Sequence, residues 1–169
     1  LSFLLASAHL FDHSFFSLYR ETNEKQLIGC LARFETAYLE RSRSRIAGPI
    51  NSMFAAAAGR GIPGAEEVAS LCRTIGAELD IARSDKRLHT EVARRTGKAL
   101  ELFAEKCASI LPQEAEAFIP SDPPHPFLKR NMDVFLSLHL LSESALALCP
   151  SLHAEAVAPF QAGIGQLER

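Results

Sequence analysis

Tryptophan is absent from this chain and tyrosine occurs only 2 times, against 11 phenylalanines. Binding surfaces favour aromatics with a polar handle, so an aromatic set dominated by phenylalanine points to core filling. Charge of one sign is also missing. The formal net charge is −2 and acidic and basic residues are mixed along the chain, which leaves no global field to gather nucleic acid or a membrane surface. Cys30, Cys72, Cys107 and Cys149 lie far apart, with no CxxC pair and no histidine beside them. That argues against a zinc site or a dense disulfide framework, and the four read as free thiols in a reducing compartment. No apolar run approaches the ~20 residues that cross a bilayer. Residues 1–11 are apolar but lack the basic segment that opens a signal peptide. GxSxG and Walker loops are missing too, so nucleophilic and phosphoryl-transfer chemistry lack their minimal parts.

What is present is helical spacing in a chain of 169 residues that is 47% apolar, enough for a true core. Leu27, Leu31, Phe34 and Tyr38 fall on one helical face, which predicts a buried Phe34. Gly48 and Pro49 predict the end of that helix near Ala47 and the start of a short one at Pro49. Segments 59–64 and 112–126, rich in glycine and proline, read as connectors. Between them, Glu66 and Glu67 mark a helix start, where the helix dipole favours carboxylates, and Val68, Leu71, Ile75 and Leu79 form the core stripe. A turn at 83–85 leads to a helix of about 25 residues whose apolar face is Leu88, Val92, Ala99, Leu102, Phe103 and Ile110. Phe127, Leu128, Met132, Phe135, Leu136 and His139 then begin a long helix that ends near Pro150. A last helix over 151–169 is weakened by Gly163 and Gly165 and kinked at Pro159. No segment has the period of a strand. The expected fold is all-α, an elongated antiparallel bundle of about six or seven helices in one unit over 1–169.

Three patterns imitate chemistry. Residues 59–64 match GxGxxG, but helical sequence precedes them where a dinucleotide site needs a strand, and Pro63 removes a backbone donor. His9 and His13 have the spacing of two metal ligands on a helix, without the glutamate or third ligand that a zinc site requires. His139 falls on the expected inward face and reads as a core histidine. No cofactor or metal is called for. Arg41, Arg43 and Arg45 form the densest positive feature, and of these Arg41 and Arg45 share a face, which makes them the candidate partner contacts. Arg83, Arg87, Arg94 and Lys98, with Asp80, Asp85 and Glu91 nearby, read as salt-bridged surface. The rival to a binding role is an enzyme or ligand carrier built on a helical bundle.

The most specific stretch is 34–51, FETAYLERSRSRIAGPIN. Phe34, Ala37, Tyr38, Leu39, Arg41, Ser42, Ser44, Arg45, Pro49, Ile50 and Asn51 together resemble a signature of the fifth-subunit family of the conserved oligomeric Golgi complex, a multisubunit vesicle tether. The resemblance continues over 77–107 and more thinly over 130–141, and departs from the family pattern at Ala47 and Gly48. It implies a segment excised from a longer helical-rod subunit, with no catalysis. The implied setting is the cytosolic face of the Golgi, peripheral to the membrane, in intra-Golgi retrograde transport. Implied partners are the other subunits, coiled-coil tethers, SNARE proteins and Rab GTPases, with no nucleic acid and no transmembrane segment.

Overall fold

The chain is described by a computed structural model at residues 29, 31–55 and 62–168. Contacts divide it into two compact units, Leu1–Tyr38 and Leu39–Arg169. Among the described residues there are five α-helices and no strand: α1 over 31–55, α2 Ala65–Ala82, α3 Lys86–Ser109, α4 Pro126–Leu146 and α5 Ala154–Leu167. The all-α expectation stands, and the described residues hold five helices where six or seven are expected of the whole chain. One reason is that Gly48 and Pro49 do not interrupt α1. Leu39, Ser42, Ile46 and Ile50 recur on one face and are all buried, so ending the helix at Ala47 would forfeit the burial of Ile50. Packing outweighs the local cost of a proline in the helix.

Short turns carry the remaining register. Glu67 reaches back to accept from the Gly64 amide at 2.8 Å and so closes the start of α2. Asp85 caps α3 by accepting from the amides of Arg87 and Leu88. The segment after α3 contains a 3-10 turn at Ala115–Ala117, and Asn131 donates to the Ala117 carbonyl, tying that turn to α4. His125 stands at the N-cap of α4, with Nδ1 accepting from the Phe127 amide.

The core of the second unit lies where α3 meets α5 and where α2 meets α3 and α4. Val68, Leu71, Ile75 and Leu79 are buried as their spacing requires. The buried face of α3 is rotated from the expected one. It holds His89, Val92, Ala93, Thr96, Gly97, Ala99, Leu100, Phe103 and Cys107, while Leu88, Leu102 and Ile110 are half-buried. The cause is close approach: a Cβ added at Gly97 would sit 2.6 Å from the Pro159 carbonyl oxygen, and one added at Gly163 would sit 2.7 Å from the Gly97 carbonyl carbon. Two backbones meet there, so small residues fill the contact. Gly163 is therefore a packing residue rather than a weak point of α5.

Candidate docking surface

The signature on α1 serves folding more than contact. Leu39, Ser42 and Ile50 are buried, and the Ser44 hydroxyl donates back to the Glu40 carbonyl. Phe34, expected in the core, is 74% exposed. Arg41 is exposed and takes no ion pair among the described residues. Arg45 is different. Its Nη1 lies 2.8 Å from Oε1 of Glu78, with side-chain exposures of 44% and 4%. Arg45 thus neutralises a buried carboxylate of α2, and the two candidate arginines do not form a common contact. Arg45→Ala is expected to lower stability by about 2 kcal/mol in urea melts, below the ~3–5 of a fully buried pair because water reaches the guanidinium. A loss within about 0.5 kcal/mol, the ordinary surface range, would mean that solvent already stabilises Glu78.

Beside this pair runs a surface network. Arg95 donates to Glu40 at 2.7 Å and to Glu91 at 2.9 Å, and Arg94 binds both oxygens of Glu91. Arg94 and Arg95 hold the Glu91 carboxyl down from its ordinary 4.5 to about 2. A depressed carboxylate stabilises the fold above its unfolded value and loses that contribution as pH falls through the folded one. The Glu91 share of stability is therefore expected to vanish between about pH 4.5 and 2. Acid denaturation of Glu91→Gln should lack that loss. Equal acid sensitivity in both proteins would contradict the assignment.

The histidine reading changes place. His139 is exposed and stacks on Phe135, while His89 is the buried histidine at 1% exposure. His89 meets His153 edge-on at 4.8 Å, and His153 Nε2 donates to the Arg83 carbonyl at 2.9 Å, fixing the start of α5 to the turn between α2 and α3. Burial, and then the neighbouring His153, lower the pKa of His89 and keep it neutral. His89 evades a hydropathy reading because a neutral imidazole packs as an aromatic.

α4 carries the surface that the sequence reading misplaced. Its buried side is Val134, Ser137, Leu141, Ser142 and Ala145, and Ser137 donates to the Pro63 carbonyl at 2.7 Å. Met132, Phe135 and Leu136, on the same side of the helix as His139 and its expected inward face, point outward, with Phe135 70% exposed. Segment Pro126–Ser151 is long and apolar enough to cross a membrane by length and composition alone, although charged residues such as Arg130, Asp133 and Glu143 interrupt it and no continuous apolar run reaches that length. One side packs against α2 and α5, and the other lies open.

Next to Phe135 a groove of about 920 Å³ opens between α4 and the C-terminal parts of α3 and α5. Leu111, Phe135, Leu138 and Leu167 supply its apolar lining. Glu101, Glu105, Glu143 and Glu168 are the charged residues along it, and no lysine or arginine among the described residues lines it. Ser142 donates to Glu168 at 3.2 Å and steadies that carboxylate.

The patterns that imitate chemistry are occupied otherwise or lie elsewhere. Residues 59–61 of the glycine motif, with His9, His13 and Cys30, fall outside the described residues. In the described part of that motif, the Gly64 amide that would meet a phosphate is taken by Glu67. Cys72, Cys107 and Cys149 are free thiols, and burial pushes Cys107 up to about 12 and raises the other two. A thiol so raised is a poor nucleophile. Among the described residues no cluster of three or more histidine, cysteine or acidic side chains could hold a metal.

No protein-family model and no solved structure matches the chain. Subunit 5 of the conserved oligomeric Golgi complex from Mus musculus is 34% identical over 128 residues, 76% of this chain. This chain is subunit 5-like. The Arabidopsis thaliana subunit of the same name is 26% identical over 144 residues, 83% of this chain. The chain spans 15% and 17% of the length of these two relatives.

Proposed function

We propose that this chain is a non-catalytic segment of a Golgi vesicle-tethering subunit that acts by binding other helical proteins. The observation that carries the reading is its similarity to subunit 5 over 128 residues, in a fold whose described polar clusters serve packing and ion pairing. The proposed setting is intra-Golgi retrograde transport at the cytosolic face of the Golgi, peripheral to the membrane. Other subunits of the tethering complex are the main partners, and SNARE proteins, Rab GTPases and coiled-coil tethers are further ones. The chemistry asked of the chain is modest: helices give reach at ~1.5 Å per residue, and exposed faces give contact area.

Arg41 remains a candidate contact within this reading, because it is exposed and its loss should leave the fold intact. Arg45 is a poor probe of binding, since its removal disturbs Glu78. The test is to express the tagged 169-residue chain in cells and identify its co-purifying proteins by mass spectrometry. Recovery of tethering-complex subunits supports the proposal. A folded chain that recovers none of them overturns it.

A further inference from the structure

We infer that the groove between α3, α4 and α5, together with the outward face of α4, is the docking site for an amphipathic helix whose apolar stripe is flanked by lysine and arginine. The inference deepens the binding role proposed above and rests on it. Met132, Phe135, Leu136, His139 and Glu143 follow one another at helical spacing along α4, and the first three are exposed apolar residues. Such a stripe is about 16 Å long, at ~1.5 Å per residue, and matches roughly three turns of a partner helix. A core helix of a soluble protein normally hides such a row.

Charge selects the occupant. Glu101 and Glu105 stand one turn apart on α3, facing Glu143 of α4 and Glu168 after α5 across the same groove. An acidic or neutral helix laid there would desolvate carboxylates without compensation, whereas lysine and arginine beside its apolar stripe would meet them. Arg43, Arg94, Arg95 and Lys98 border a separate pocket that Glu101 and Glu105 also line, and none of these cations lines the groove itself; Arg94 and Arg95 are engaged by Glu91 and Glu40. Specificity then comes from the glutamates and contact area from Phe135 and its neighbours. A second copy of this chain is a poorer occupant, because it would bring its own glutamates to the same place.

The test uses two synthetic labelled peptides of about 18 residues, long enough to hold a helix on the protein. Both carry leucines at helical spacing, flanked by lysine and arginine in one and by glutamate in the other. Fluorescence anisotropy with the whole 169-residue chain should show saturable binding of the cationic peptide, at least about tenfold tighter than the acidic one and weakening with salt. Phe135→Ser and the double variant Glu101→Lys, Glu105→Lys should each lower that affinity about tenfold with unchanged circular dichroism. Equal binding of both peptides, absence of binding, or full affinity in both variants would overturn the inference. Sedimentation without peptide adds an arm: a dimer abolished by Phe135→Ser and not displaced by the cationic peptide would assign the face to a second copy instead. Failure here is separable from failure of the proposed function. If the wild-type chain and both variants recover tethering subunits equally, the groove is wrong and the function stands; if the cationic peptide binds but no subunit is recovered, the reverse holds.

Discussion

Replacing Gly163 with alanine is expected to cost about 3 kcal/mol or more in urea melts, at the upper end of overpacking effects. The contact is backbone against backbone. A methyl group there would sit 2.7 Å from the Gly97 carbonyl carbon, and no side chain can rotate away to relieve it. Gly165 supplies the control from the same helix, since a Cβ there meets nothing within 4 Å. Gly165→Ala should raise stability by about 0.5–1 kcal/mol through helix propensity. If both alanines stabilise α5 alike, the close crossing of α3 and α5 is not as described.

Phe103→Ala is expected to cost about 3–5 kcal/mol, the range for a fully buried phenylalanine. Its ring is wholly buried and meets Phe54 edge-on at 5.4 Å, so the substitution opens a cavity between α3 and α1 and removes an aromatic contact. Phe34→Ala should change stability by less than about 0.5 kcal/mol, because that ring is exposed. Periodicity alone ranks the two phenylalanines equally. Comparable losses in both variants would restore Phe34 to a core.

These pairs show what periodicity can resolve. The stripe of α2 was legible because large apolar residues at helical spacing, with acidic residues at the helix start, leave one consistent orientation. α3 defeated the same reading. Its tightest contact is built from Ala93, Thr96 and Gly97, residues with little hydropathy, and the need for them arises from Pro159 and Gly163 on a helix far along the chain. The Gly48-Pro49 break failed for a related reason, because the local signal lost to the burial of Ile46 and Ile50.

The candidate site was less legible than the fold. Arg45 looked like an available cation because its partner, Glu78, is distant in sequence and an acidic residue inside a helix stripe gives no sign of burial. α4 is apolar on more than one side, so its period could not say which side the chain itself covers. Its inner side uses Ser137 and Ser142 with Val134, Leu141 and Ala145, and the bulkier Met132, Phe135 and Leu136 point outward. Size and hydropathy favoured the wrong face. The acidic groove was invisible to a linear reading because its four glutamates come from α3, α4 and the end of α5.

The docking role proposed for this segment can be tested inside a tethering subunit. The most direct measurement is exchange of the matched region of the Mus musculus subunit for this chain, in cells that lack their own copy, with co-sedimentation of the remaining subunits as the readout. The chimera is expected to sediment with them, and the same chimera carrying Phe135→Ser is expected not to. A well-expressed, folded chimera that sediments alone would contradict the docking role.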